Sequence, residues 1–275
     1  FLMFTAGLDV KLSSLKRIGR KSIIIALING IIPFATGFSI ANFFGYDAVT
    51  SLILGAIFVS SSVAIIIPTL KELGLAEKDL GKTIISSTVF EDVTSLLVLA
   101  FLLQHAQPTS FLSLPIYIPV VIVSLVLISY ILPQLQKYFV RQKKETQRED
   151  IFEGELRFIF IVLILTALLF ELLGMHAIIA GFFVGLFLSD AIKGRLVFEK
   201  IYTISYGIFI PIFFLVIGMR TDLVALFSVQ QHLIVTGVIV GGLVISKFIS
   251  GWLGGLVSGH SSRESLIIAA STIPQ

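Results

Sequence analysis

The sequence predicts an all-α protein that crosses a membrane many times. Hydrophobic residues make up 56% of the 275 residues and charged residues only 13%, which is about half the charged fraction of a soluble domain. The mean hydropathy is +1.01. Apolar segments follow one another with mostly short connections, and many approach the roughly 20 residues that cross a bilayer as a helix. Together these observations predict a polytopic membrane protein.

Ten apolar segments can be marked along the chain. Because the chain starts at Phe1 inside an apolar stretch and stops at Gln275 soon after another, we expect a fragment with helices missing at both ends. We predict that residues 1–275 form a single transmembrane domain. In chain order the segments are 1–9, 22–43, 48–67, 82–104, 115–139, 156–173, 176–190, 199–218, 231–257 and 262–275.

Basic residues determine the predicted orientation. All of the 20 Lys and Arg except Arg220 and Lys247 lie in alternate connections between the apolar segments. Cytoplasmic loops of membrane proteins carry an excess of Lys and Arg, so these connections are predicted to be cytoplasmic and the protein to lie in the cell membrane. The polar run at 141–150 is interpreted as a solvated loop. The predicted cytoplasmic loops are 11–21, 71–82, 137–157, 193–200 and the one that holds Arg263.

Several classes of function are disfavoured by what the sequence lacks. There is no cysteine, so a disulfide framework, a thiolate nucleophile and a thiolate metal site are all excluded. The sequence contains no Gly-Lys-Ser/Thr phosphate loop, no Gly-rich dinucleotide fingerprint and no metalloprotease pair of histidines. We therefore expect no enzymatic activity, no cofactor and no nucleic-acid partner; membrane lipid is the expected surrounding.

The third segment contains a candidate break. Three consecutive serines, residues 60–62, lie midway through it, and Pro68 follows. Serine side chains compete for the helix backbone, and proline removes a backbone hydrogen bond four residues back. A broken helix here would offer oxygen atoms to a hard cation; a continuous helix that packs closely through small residues is the alternative. The tenth segment has a similar pattern, and an inverted repeat would place a second broken helix there.

The fourth segment carries two acids near its midpoint, Glu91 and Asp92. An ionisable group at that depth costs several kcal/mol, roughly 3 on the mildest scale, so two adjacent carboxylates point to a function. We interpret them as a cation or proton site. The alternatives are a helix of a soluble core or a carboxylate held in a structural pair.

Lys247 lies deep inside the ninth segment, too far from its ends to reach water comfortably. A carboxylate partner would keep this lysine charged. Adjacent residues on a helix point about 100° apart, so Glu91 and Asp92 cannot both face it squarely. We predict that one carboxylate pairs with Lys247 and that the other is left for a mobile ion; a purely structural ion pair is the alternative.

Three hydroxyl residues lie three or four positions from the acids, where a helix places side chains on the same faces. They could supply oxygen ligands to the ion, although hydroxyls in membrane helices often bond only to their own backbone. The three are Ser87, Thr88 and Ser95.

The chain resembles a known family, the monovalent cation:proton antiporter-2 group of sodium/proton exchangers. The likeness covers essentially the whole chain in the same order and spacing. It is carried by Phe4-Thr5-Ala6-Gly7-Leu8-Asp9, by Ser61-Ser62-Val63-Ala64 with Leu70-Lys71-Glu72-Leu73-Gly74, by Glu91-Asp92, by Pro211-Ile212-Phe213-Phe214 through Gly218-Met219, and by Lys247.

The resemblance implies inverted repeats with two broken, crossing helices, a core domain that slides against a dimerisation domain, and a homodimer. It implies that the second acid, Asp92, binds the cation or the proton in turn, and that Glu91 faces Lys247. The crossing of the two broken helices, of which Ser60 to Ala64 would be one, would lie beside the acid. Electrogenic members commonly carry two aspartates, so glutamate in the first position leaves stoichiometry and ion preference open.

The resulting hypothesis is secondary active exchange of Na⁺, or of Li⁺ or K⁺, for protons, with a role in pH homeostasis. The proposed site comprises Asp92 as the cation ligand, with Glu91, Ser61, Ser62 and Thr88, and Lys247 as the salt-bridge partner. Two alternatives remain: a sodium-coupled symporter of an organic anion on a related fold, and a membrane sensor or channel subunit.

Overall fold

The computed structural model describes residues 1–10, 19–106, 114–145, 151–173, 177–192, 195–222 and 230–274, and within these ranges the regular structure is entirely helical. A π-helical turn, Ser205–Phe209, separates two of the α-helices. The helices are α1 (Leu2–Asp9), α2 (Arg20–Phe43), α3 (Ala48–Val59), α4 (Val63–Glu72), α5 (Asp79–Ala106), α6 (Leu114–Glu145), α7 (Ile151–Leu172), α8 (Ala177–Leu188), α9 (Arg195–Ile204), α10 (Ile210–Arg220), α11 (Gln230–Val257) and α12 (Ser262–Thr272).

The all-α prediction for a polytopic membrane protein is confirmed. Four helical stretches among the described residues are long and apolar enough to cross a membrane by length and composition. Two shorter apolar helices accompany them, Ala48–Val59 and Ile179–Leu188. The four candidate spans are Arg20–Phe43, Pro119–Tyr138, Leu196–Arg220 and Gln231–Val257.

Two predicted boundaries differ from the structure. The third segment is two helices, because α3 ends at Val59 and α4 begins at Val63; the continuous-helix alternative is wrong. The interpretation of 141–150 as a loop is also wrong for its first half, since α6 continues to Glu145, and residues 146–150 lie outside the described residues. Lys, Gln and Glu are good helix formers, so a helix can continue beyond its apolar span.

The helices form two compact units. The first consists of Phe1–Ser13 with Gln107–Thr221, and the second of Ser14–Ala106 with Asp222–Gln275. The first unit thus contains α1 and α6–α10, and the second contains α2–α5, α11 and α12. Glu91, Asp92 and Lys247, the three charged residues that the sequence predicts at membrane depth, all belong to the second unit.

A small apolar cluster joins four helices of the second unit. Its members are Ile25 of α2, Ile66 and Leu70 of α4, Ile84 of α5 and Ile268 of α12. Burial of an aliphatic side chain of this size stabilises a fold by about 1.5–3 kcal/mol in an aqueous reference; in a membrane, close packing supplies much of the gain instead. The cluster anchors two short helices: α4, which begins at the break, and α12, which ends beside it.

Close glycine contacts bring α2 and α3 together. A Cβ added to Gly37 would lie 2.9 Å from the Leu54 carbonyl oxygen, and one added to Gly55 would lie 2.8 Å from the Phe34 carbonyl oxygen. Both distances are shorter than real Cβ contacts, so only glycine permits this approach. Small residues at helix crossings are the usual device for tight packing in membranes.

A second glycine crossing joins α11 to α12. A Cβ on Gly251 would lie 2.6 Å from the Thr272 hydroxyl, and one on Gly255 would lie 2.6 Å from the Ser265 hydroxyl. The crossing holds the end of α12 against the helix that carries Lys247, and α12 itself starts on a capping box formed by Ser261 and Glu264.

The N-terminus of α3 is fixed by a side-chain cap. The Asp47 carboxylate accepts hydrogen bonds from the backbone N–H groups of Val49 and Thr50, at 3.0 and 3.2 Å, and from the Thr50 hydroxyl at 2.5 Å. These donors, the Thr50 hydroxyl foremost, hold the pKa of Asp47 below its usual range. The cap fixes the start of α3 at Ala48, and the helix then runs for 12 residues to Val59, directly before the serines.

Candidate cation site

The break between α3 and α4 forms one wall of the site. Ser60 and Ser62 have extended backbone, with φ/ψ of −62°/154° and −79°/99°, so the helix is interrupted over three serines. Backbone polar groups released at membrane depth need protein partners. The Ser62 N–H donates to the Pro274 carbonyl at 2.8 Å, and the Ser61 hydroxyl lies 3.2 Å from the Thr272 carbonyl. The break and the end of α12 therefore meet.

Lys247 of α11 is completely buried and fully bonded. Its Nζ lies 2.5 Å from the Val59 carbonyl oxygen, 3.0 Å from the Ser61 hydroxyl and 3.3 Å from Glu91 Oε2. An ammonium group has three donors, and these three acceptors match them. The Val59 carbonyl is available because the helix stops there, so the break itself solvates the lysine.

Glu91 of α5 is the ion-pair partner, as the division between the two acids predicted. The side chain is 1% exposed, and its Oε2 accepts from Lys247, from the Asn29 amide at 2.8 Å and from the Ser61 hydroxyl at 3.1 Å. Its other oxygen, Oε1, is buried without a hydrogen-bond partner in the described part of the chain. The pair locks α5 to α11 and leaves the neighbouring acid outside it.

Asp92 has a different environment. Its side chain is half-buried, and its Oδ1 accepts from the Ser60 hydroxyl at 3.0 Å and lies 3.4 Å from the Ser61 backbone nitrogen. Both of these donors are neutral. With Glu91 and Asp92 ionised and Lys247 protonated, the cluster carries one uncompensated negative charge, which one monovalent cation or one proton would neutralise.

The hydroxyls near the acids on α5 bond to their own helix. Ser87 and Thr88 both donate to the Ile84 carbonyl, at 2.9 and 3.0 Å, and Ser95 donates to the Asp92 carbonyl at 3.0 Å. Such bonds to the helix backbone are the alternative to a ligand role for these hydroxyls. The structure thus brings Glu91, Asp92, Ser61 and Lys247 together. Ser62 follows Ser61 in the break, and its backbone N–H donates to the Pro274 carbonyl.

The whole of this chain, residues 1–275, matches the family model described as sodium/hydrogen exchanger, transmembrane. The chain belongs to the sodium/hydrogen exchanger transmembrane family. The serine break, the acid pair and the buried lysine are therefore features of an exchanger domain.

Named relatives carry related descriptions. The chain is 29% identical to a probable Na⁺/H⁺ antiporter 3 from Methanocaldococcus jannaschii, over 100% of this chain and 70% of that protein. It is 28% identical to a Na⁺/H⁺ antiporter from Enterococcus hirae, over 99% of this chain and 70% of that protein. It is also 28% identical to the Na⁺/H⁺ antiporter NhaS5 from Synechocystis, over 100% of this chain but only 39% of that protein.

Two further residues of the candidate site were not predicted from the sequence. Asn29 of α2 and Ser250 of α11 are both completely buried; Asn29 donates to Glu91, and Ser250 donates to the Asn29 carbonyl oxygen at 2.6 Å. Asn29 could have been found, because a carboxamide in the middle of an apolar segment needs partners that lipid cannot supply. Ser250 carries no such signal, since a serine can bond to its own helix.

Proposed function

We propose that this chain is the transport domain of a secondary exchanger that moves Na⁺ across the cell membrane in exchange for protons, with Li⁺ and K⁺ as the alternative cations. The observation that carries the proposal is that two carboxylates, Glu91 and the half-buried Asp92, lie at one buried base, Lys247, which pairs with Glu91. With all three groups ionised, Asp92 carries one negative charge without a counter-charge. A site with one such charge suits one monovalent ion at a time.

Competition at Asp92 couples the two ions in this proposal. The carboxylate holds either a cation or a proton, and the Ser60 hydroxyl that contacts it at 3.0 Å adds a polar oxygen next to the bound ion. Glu91 stays with Lys247 and compensates its positive charge. Alternating access then exposes Asp92 to one side of the membrane at a time, and no cofactor is needed.

Further parts of the proposal concern the assembly. The second compact unit acts as the core domain and the first as the dimerisation domain of a homodimer, with membrane lipid around it. The loops rich in Lys and Arg face the cytoplasm, and the cell uses the exchange for pH homeostasis. An organic-anion symporter is less favoured because the buried base at the site, Lys247, already has three acceptors.

The test is proton flux in proteoliposomes that contain the full-length protein and a pH-sensitive dye. Pulses of NaCl, LiCl, KCl and choline chloride identify the cation. We expect a dye response to at least one alkali cation from the wild type and none from Asp92→Asn, which cannot exchange a proton for a cation at that position.

Asp79→Asn is the matched control, since this aspartate lies exposed in the first turn of the same helix. It should retain the wild-type response. Wild-type flux from Asp92→Asn would overturn the assignment of the site. A folded wild-type protein that stays silent with all three alkali cations would overturn the exchange and favour the symporter or sensor.

A further inference from the structure

Asn29 connects the ion pair to a second point on α11. Its amide nitrogen donates to Glu91 Oε2 at 2.8 Å, and its carbonyl oxygen accepts from the Ser250 hydroxyl at 2.6 Å. Ser250 lies three residues after Lys247, one turn further along α11. The contacts therefore run in a closed ring from Lys247 to Glu91, to Asn29, to Ser250 and back along the helix.

The ring determines which way the Asn29 carboxamide faces. An ionised Glu91 only accepts hydrogen bonds, so the amide NH₂ must point towards it. The carbonyl oxygen then points towards Ser250, whose hydroxyl can donate to it. All four members of the ring are at most 1% exposed, so water does not compete for these contacts.

We propose that Asn29 is a positioning residue of the exchanger, which holds the Glu91 carboxylate on Lys247 and thereby fixes the charge next to Asp92, with Ser250 acting through Asn29. This inference rests on the exchange proposed above and deepens it. Lys247 approaches the Glu91 oxygen from α11 and Asn29 approaches it from α2, so the carboxylate is held from two helices.

The consequence concerns cation affinity more than turnover. The negative charge of Glu91 offsets the repulsion between Lys247 and a cation at the adjacent Asp92, and this compensation depends on where the carboxylate lies. Without Asn29, one charge-assisted hydrogen bond to Glu91 is lost. The carboxylate can then move, and the cation is held less well. The rate of the conformational change need not alter.

The experiment measures cation-dependent proton flux in proteoliposomes at one fixed pH, with the full-length protein and a range of cation concentrations. We expect Asn29→Ala to raise KM for the transported cation about tenfold, which matches the worth of one hydrogen bond to a charged group, with a maximal rate close to that of the wild type. Asn42→Ala is the matched control, since Asn42 is exposed near the end of the same helix. It should leave KM unchanged.

Ser250→Ala provides a second, independent test and remains informative if Asn29→Ala fails to fold. It should raise KM by a smaller factor than Asn29→Ala. If Ser250 acts through Asn29, the double variant should show the same KM as Asn29→Ala alone.

Three results would overturn the inference. One is a KM for Asn29→Ala that equals the Asn42→Ala value. If only Ser250→Ala folds, its KM takes the place of the Asn29→Ala value in this comparison. Another is a loss of maximal rate with an unchanged KM, which indicates a merely structural role. The third is a double variant whose effects multiply. Failure of the exchange itself is recognised separately. In that case the wild type shows no cation-dependent proton flux, or a flux that Asp92→Asn does not abolish.

Discussion

At the scale of single residues, the burial of Lys247 is tolerated because each of the three donors of its ammonium group has an acceptor. Lys247 has three acceptors at 2.5–3.3 Å, and one of them is the carbonyl of Val59, where α3 ends. Removing one member of a buried ion pair usually costs about 3–5 kcal/mol, because the remaining charge is left without compensation. Removing both members costs much less.

Lys247→Met should therefore lower the apparent melting temperature of the detergent-solubilised protein by on the order of 10 °C. Methionine keeps most of the side-chain volume, so the lower melting temperature would result from the loss of the positive charge. The double variant Glu91→Gln with Lys247→Met should recover most of the loss, because neither charge then remains. Thermal unfolding followed by size-exclusion chromatography measures both. A double variant less stable than Lys247→Met would contradict the pairing.

The charged residues of the site were predictable from the sequence, and their neutral partners were not. Glu91, Asp92 and Lys247 stand out because charge at membrane depth is rare and costly. Helix geometry predicted that only one of the two acids would face the lysine, and the structure pairs Glu91 with Lys247. That Asp92 is left for the ion stays a prediction. Thr88 was a candidate by spacing alone, but its hydroxyl bonds to Ile84. No local pattern reveals that Asn29, 62 residues away in the chain, contacts Glu91.

At the scale of helices, the break was a prediction with an open alternative. Three serines and a proline are compatible with a broken or a continuous membrane helix. The contacts that decide between these two forms come from other parts of the chain. In the structure, Lys247 bonds to the Val59 carbonyl and Pro274 accepts from Ser62. These tertiary contacts satisfy the backbone of an open helix end, and a single segment of sequence does not show them.

Helix α1 and helix α8 of the first unit provide a clean test of glycine packing. A Cβ on Gly7 would overlap the Phe182 carbonyl oxygen, and a Cβ on Gly185 would overlap the Phe4 carbonyl oxygen. The two contacts are reciprocal, since each glycine lies three residues after the phenylalanine on its own helix. The backbones approach too closely here for any side chain.

Gly185→Ala should destabilise the protein by about 1–3 kcal/mol, as overpacking typically does. Gly181→Ala is the control on the same helix, where the added Cβ would lie 3.5 Å from the Met3 Cβ, an ordinary contact. It should be neutral or stabilise by up to about 1 kcal/mol, because alanine favours the helix. Apparent melting temperatures distinguish the two. A Gly185→Ala protein as stable as Gly181→Ala would show that α1 and α8 do not cross in this way.

At the scale of the whole molecule, the predicted topology rests on how Lys and Arg are distributed among the connections. Alternation of the basic connections supported the number of segments, because one missed helix would have disrupted it. The described helices follow the order of the predicted segments, and the break divides the third segment into α3 and α4. The side on which each connection lies stays a prediction. The predicted loop at 193–200 is helical from Arg195 onward, because the positive-inside rule concerns the side of the membrane and not the local backbone.

The orientation can be tested with single cysteines, because these 275 residues contain none. Tyr46, between α2 and α3, is 48% exposed and is predicted to lie outside the cell. Glu77, between α4 and α5, is exposed and is predicted to be cytoplasmic. In intact cells, a membrane-impermeant maleimide should label Tyr46→Cys and not Glu77→Cys, while permeabilised cells should show labelling of both. The reverse pattern would invert the topology. Labelling of both positions in intact cells would place them on one side and contradict the odd number of crossings between them.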